Sequence, residues 1–144
     1  MQYARLVVGA SLALTLLVIA PRLTAAHANY ARSEPAADTV MPTAPEQLRV
    51  WFTQELVSSG SRLEVVDSAG NRVDREDSRV DLTDPDRKLM VVSLMPLADG
   101  EYTARWRSVS AEDGDSADGT FRFGVGASTV LSYSSAPGTD QHTP

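Results

Sequence analysis

The chain has 144 residues, enough for one domain. Its 19 acidic residues against 13 basic ones give a formal charge of −6, which leaves no basic footprint for nucleic acid or anionic lipid and makes a cation the more natural charged partner. Cysteine is absent, which excludes a disulfide scaffold, thiolate metal ligands and a lipid-modified cysteine.

The first 26 residues differ from the rest. "MQYAR" is a short, positively charged start, residues 6–20 are an uninterrupted apolar and small run, and Pro21 then leads into "LTAA". This is the pattern of a secretory signal peptide, with Thr24 and Ala26 at the small-residue positions before the cut. A retained membrane anchor would want about 20 apolar residues. Cleavage is therefore expected between Ala26 and His27, with the mature protein soluble and periplasmic or extracellular. It would keep 118 residues, all 19 acidic residues and 11 of the basic ones, for a formal charge of −8. His27 would become the first residue and offer two nitrogen donors, its free amine and its imidazole.

Behind the cut, "SEPAADTVMPTAPEQ" carries three prolines and is expected to be an ordered connection rather than a strand. From about Glu46 short strands follow. In "LRVWFT", Leu48, Val50 and Phe52 alternate with Arg49, Trp51 and Thr53, the two-residue period of a half-buried strand. "SRLEVV" is next, and "DSAGNRV" suggests a hairpin turn. "KLMVVSLMP" is an apolar strand closed by Pro96. "ADGEYTARWRSVS" places Tyr102, Ala104 and Trp106 on one face, and "GTFRFGV" does the same with Phe121, Phe123 and Val125. With no helical period after the leader, the pattern predicts an all-β sandwich over residues 27–126. Leu48, Val50, Phe52, Leu63, Val65, Phe121 and Phe123 are expected in its core. Residues 127–144 are rich in Ser, Thr, Gly and Pro and are expected to be a flexible, dispensable tail.

The most unusual loop is "SVSAEDGDSADG", with Glu112, Asp113, Asp115 and Asp118 close together. Such a loop is either a solvated acidic turn or a metal site. It is not an EF-hand. Counted from Asp113, position 5 is Ala117, position 6 is Asp118 and position 12 is Gly124, where acid, glycine and glutamate are required. A nucleophile elbow, a phosphate-binding glycine loop and HExxH are all absent. The only histidines are His27 and His142, the latter in the expected tail. An enzyme is not expected.

"HANYARSEPAADTV" resembles the mature start of the CopC family of periplasmic copper-binding and copper resistance proteins. "LRVWFTQEL", "PLADGEYTARWRSVSAEDGD" and "GTFRFGV" resemble its next strand, its late hairpin and its final strand. The resemblance covers about residues 27–126. It implies a Greek-key, immunoglobulin-like β-sandwich with a Cu(II) site made by the N-terminal histidine, an aspartate and a second histidine. His27 matches the first ligand and Asp113 the aspartate, while Asp115 stands where the second histidine is expected. Glu112 is an extra residue in the loop. The methionine-rich Cu(I) loop of some members is absent.

The metal ligands are thus expected to be His27, Asp113 and Asp115. Imidazole and oxygen donors suit Cu(II), but one nitrogen has become a carboxylate, so weaker and less selective copper binding is expected. A membrane copper-transport protein is the implied partner. Two other readings stay open: a metal-free β-sandwich interaction module that has lost the site, and a copper oxygenase, for which only His142 could supply the second histidine. The copper reading also requires the strand ending near Ser110 to finish where the mature chain begins.

Overall fold

The computed structural model describes residues 27–132. The leader, His142 and residues 133–144 lie outside the described residues. The described chain is all β. Its strands are β1 (Tyr30–Glu34), β2 (Thr39–Met41), β3 (Gln47–Phe52), β4 (Arg62–Asp67), β5 (Arg79–Val80), β6 (Leu89–Ser93), β7 (Gly100–Val109) and β8 (Ser116–Val125). One sheet has the order β1-β3-β6-β5 and the other β2-β8-β7-β4, so the chain crosses between sheets after β1, β2, β3, β4 and β6. No helix among the described residues is long and apolar enough to cross a membrane.

Alternating side chains build the core between the sheets. Leu48, Val50 and Phe52 of β3, Leu63 and Val65 of β4, and Phe123 of β8 are buried, as the two-residue period predicts. Phe121 lies at the margin of the core, half-buried, with its ring centroid 5.2 Å from that of Tyr30. Phe52 meets Trp106 edge-on at 5.4 Å across the two sheets. Leu89 to Val92 of β6 are buried on both faces, which accounts for their unbroken apolar run in a strand flanked by two others.

One strand departs from expectation. The proline-rich segment 33–47 contains a strand, β2, which pairs in parallel with β8 through Thr39↔Phe123, Val40↔Gly124 and Met41↔Val125. Three residues are too few to show a period. Pro42 follows it at an edge of the sheet, where a missing amide donor costs no ladder bond. The hairpin turn expected after β4 is present, and the hairpin is short. Its turn forms, with the Asp67 carboxylate accepting from the amides of Ala69 and Asn71 at 2.9 and 2.8 Å. The return limb makes one bridge, Val66↔Arg72, and then leaves for the other sheet, where Arg75 N donates to Ser93 O. The remaining edge of β4 is capped by side chains: Leu63 N donates to Ser78 Oγ at 2.6 Å and Val65 N to Asp74 Oδ2 at 2.8 Å.

Residues 127–132 fold back on the domain. Thr129 Oγ1 donates to Val125 O and Ser132 N donates to Glu101 Oε2. Thr129 and Leu131 lie over Gly124, whose hypothetical Cβ would stand 3.0 and 3.2 Å from their methyl carbons. The start of the expected tail is therefore packed against β7 and β8.

Candidate metal centre

Three segments meet at one end of the sandwich: residues 27–29 before β1, Thr53 to Glu55 after β3, and the 110–115 loop between β7 and β8. The first is fastened by its backbone. Ala28 is fully buried, and its carbonyl accepts a 2.6 Å hydrogen bond from the buried Ser108 Oγ of β7. Asn29 N donates to Thr53 Oγ1 at 3.0 Å, Thr53 N donates to Asn29 O at 2.9 Å, and Thr53 Oγ1 donates to His27 O at 3.3 Å. With Ala28 locked in the core, His27 is held at the rim.

The acidic loop is equally defined. Ser110 N donates to Asp115 O at 2.8 Å and Gly114 N to Ser110 O at 3.0 Å, with Gly114 at φ 78°, a conformation that favours glycine. Asp113 Oδ1 accepts from Asp115 N at 3.0 Å, closing an Asx turn. Ser110 Oγ donates to Gln54 Oε1 at 3.1 Å and accepts from Glu112 N at 3.2 Å. Ala111 N donates to Glu55 O, tying the loop to the segment after β3.

The strand that ends near Ser110 thus finishes beside residues 27–29. The imidazole Nε2 of His27 lies 3.9 Å from Asp115 Oδ2, with the two side chains 42% and 51% exposed. Both donors are open to an incoming ion. Two ligands of one small transition ion, each bound at about 2.0–2.2 Å, stand at most about 4.4 Å apart, so this pair is within reach of a single ion. Asp113 is in the same turn, but its carboxylate is engaged in shaping the loop. Among the described residues no group of three or more His, Asp or Glu side chains is close enough to hold a metal. The structure brings His27 within 3.9 Å of Asp115 and places Asp113 two residues away in the same turn. The backbone nitrogen of His27 is a peptide nitrogen in the unprocessed chain.

Sequence reasoning missed the residues that hold the site, namely Thr53, Gln54, Ser108 and Ser110. Ser108 did leave a signal: it follows Tyr102, Ala104 and Trp106 on the inward face of β7, where a hydroxyl needs a buried partner.

Known proteins resemble this chain throughout the described domain. The sequence model of the CopC domain matches residues 30–126. The copper transport protein CutJ of Bacillus subtilis is 30% identical over 114 residues, covering 78% of this chain, and the match spans only 20% of that relative's length. The crystal structure of CopC from Methylosinus trichosporium OB3b superimposes with a TM-score of 0.63, covering 75% of this chain and 100% of that one. At 20% identity it speaks for the fold alone. PcoC of Escherichia coli, described as a methionine-rich copper resistance protein, gives a TM-score of 0.53 at 30% identity and covers 69% of this chain and 99% of its own. The two-sheet sandwich, the matched span and these likenesses together make the chain a member of the CopC domain family.

Proposed function

We propose that the processed chain is a copper-binding protein that works outside the cytoplasm, in copper tolerance or copper supply. Cu(II) is its cargo. The ligands are the free amine and imidazole of His27 and the carboxylate of Asp115, with Asp113 shaping the loop and adding negative charge. Two nitrogens and an oxygen suit the tetragonal preference of Cu(II). The observation that carries this reading is the 3.9 Å approach of His27 Nε2 to Asp115, on a backbone anchored through Ala28 and Ser108. The relatives support it: one is named a copper transport protein and another a copper resistance protein. A membrane copper-transport protein is the proposed recipient, and the role is carriage rather than catalysis.

The reading depends on processing. Cleavage before His27 turns a neutral peptide nitrogen, whose lone pair is delocalised and which binds copper only after losing its proton, into an amine. Mass spectrometry of the secreted protein should find His27 first. A different mature start removes the two-nitrogen chelate and leaves a metal-free interaction module. Copper must also displace the ammonium proton, whose reference pKa is about 7.7–8.0, so affinity should fall as pH drops through and below that range.

A further inference from the structure

The outer face of β4, β7 and β8 carries a cleft of about 400 Å³ lined by Arg62, Glu64, Arg105, Arg107, Asp118 and Thr120. That volume is within the range of about 300–1,000 Å³ seen for ligand sites. Strand alternation explains its content. Trp106 packs inward on Phe52, so its neighbours Arg105 and Arg107 face out. The pairing register sets two rungs across the sheet, Arg62–Arg107–Asp118 and Glu64–Arg105–Thr120.

The second rung is internally matched, with Arg105 Nη1 3.3 Å from Glu64 Oε1. The first is not. Arg107 donates to Asp118 at 3.1 Å and to Ser116 Oγ at 3.0 Å. Arg62 stands directly opposite Arg107 in register, and its guanidinium has no partner among the described residues. Like charges facing each other across a ladder are destabilising, so an arriving carboxylate between them would gain two guanidinium contacts and relieve a repulsion.

We propose that this cleft docks an acidic, extended segment of a protein partner, seating one of its carboxylates between Arg62 and Arg107. Charge decides the class. A nucleic acid or an anionic membrane would meet the net charge of −6 as well as Glu64 and Asp118 at the cleft, whereas a short segment brings only local carboxylates. Position decides the use. Arg107 holds Ser116, the residue after Asp115, so an occupant of the cleft lies beside the acidic loop. This use, delivery of the ion to a docked recipient, rests on the copper reading; the docking itself does not.

The test therefore uses metal-free protein. A blocked Gly-Glu-Gly-Glu-Gly peptide is titrated against it by NMR, following the arginine Nε–H signals, beside a peptide with glutamine in place of glutamate and beside inorganic phosphate. The glutamate peptide should move the Arg62 and Arg107 signals in a salt-sensitive manner, and the other two probes should not. Arg62→Gln should weaken binding about fivefold, the upper end for one exposed ion pair. Arg79→Gln, on the opposite sheet, should leave it unchanged. Equal binding of the glutamate and glutamine peptides, stronger binding of phosphate, or an equal effect of the two variants would overturn the proposal. Failure of copper to bind at His27 would leave this result standing, and the converse also holds.

Discussion

At His27 and Asp115 two side chains from opposite ends of the domain sequence face each other at 3.9 Å, and their chemistry separates the proposed roles. His27→Ala should abolish most Cu(II) affinity, because it removes the ring donor of the chelate. Asp115→His should raise affinity by restoring a nitrogen where the family pattern has one. Asp113→Asn should act more mildly: the amide oxygen can still accept from Asp115 N, so the loop survives while one negative charge is lost. Competitive Cu(II) titration ranks the three, and an Asp113 variant as damaging as His27→Ala would move Asp113 into the ligand set. Ser108→Ala tests the anchor. It leaves the buried Ala28 carbonyl without its donor, at about 1–3 kcal/mol, and should also lower copper affinity by loosening His27. Urea unfolding and the same titration separate the two effects. That His27 and the acidic loop meet at one end of the domain was legible, because the family resemblance paired them. The role of Ser108 was not, because the alternation of β7 turns its hydroxyl inward but does not name the Ala28 carbonyl, 80 positions away, that receives it.

Strands showed themselves in proportion to their length and burial. β3 and β7 repeat the apolar alternation often enough to be read, and β6 has its continuous apolar run. β2 has three residues and draws its stability from pairing with β8, a partner more than eighty positions away that local pattern cannot reveal. Edge protection of β4 was equally hidden, since Asp74 sits between arginines in a stretch that reads as a charged loop. In the fold Asp74 is fully buried and accepts from Val65 N, Glu76 N and Arg72 Nε at 2.8, 2.8 and 2.9 Å. Burial pushes its carboxyl up, but the Arg72 guanidinium and the two amides outweigh this and hold it below the ordinary carboxylate value. The unfolded chain therefore takes up this proton first. The stability contributed by Asp74 is complete above about pH 4 and is lost as pH falls through its lower folded value. Asp74→Ala should cost about 1–3 kcal/mol for each amide left without an acceptor, and should flatten the acid limb of the stability curve. Denaturant titrations between pH 2 and 7, at intervals of about one unit, check both. An unchanged acid limb would mean that other carboxylates carry the acid sensitivity.

On the scale of the whole molecule, the sandwich works as a clamp that brings residues 27–29 to the β7–β8 loop. The segment after Gly126 belongs to that clamp more than its composition suggested. Its Ser, Thr and Gly content reads as tail, yet Thr129 and Ser132 bond to Val125 and Glu101. Truncation after Gly126 should consequently lower stability by about 1 kcal/mol, seen as a modest drop in Tm, while copper affinity at the opposite end of β8 stays unchanged. An unaltered Tm would return these residues to the tail. On this proposal copper capture depends on a free amine at His27, held near Asp115 by the fold. Competitive Cu(II) titration tests this most directly, with a protein beginning at His27 and the same protein with its His27 amine acetylated. Tight binding by the first and loss of most of that affinity in the second are expected, with identical Tm for both in the absence of metal; equal affinity of the two forms would remove the amine from the ligand set.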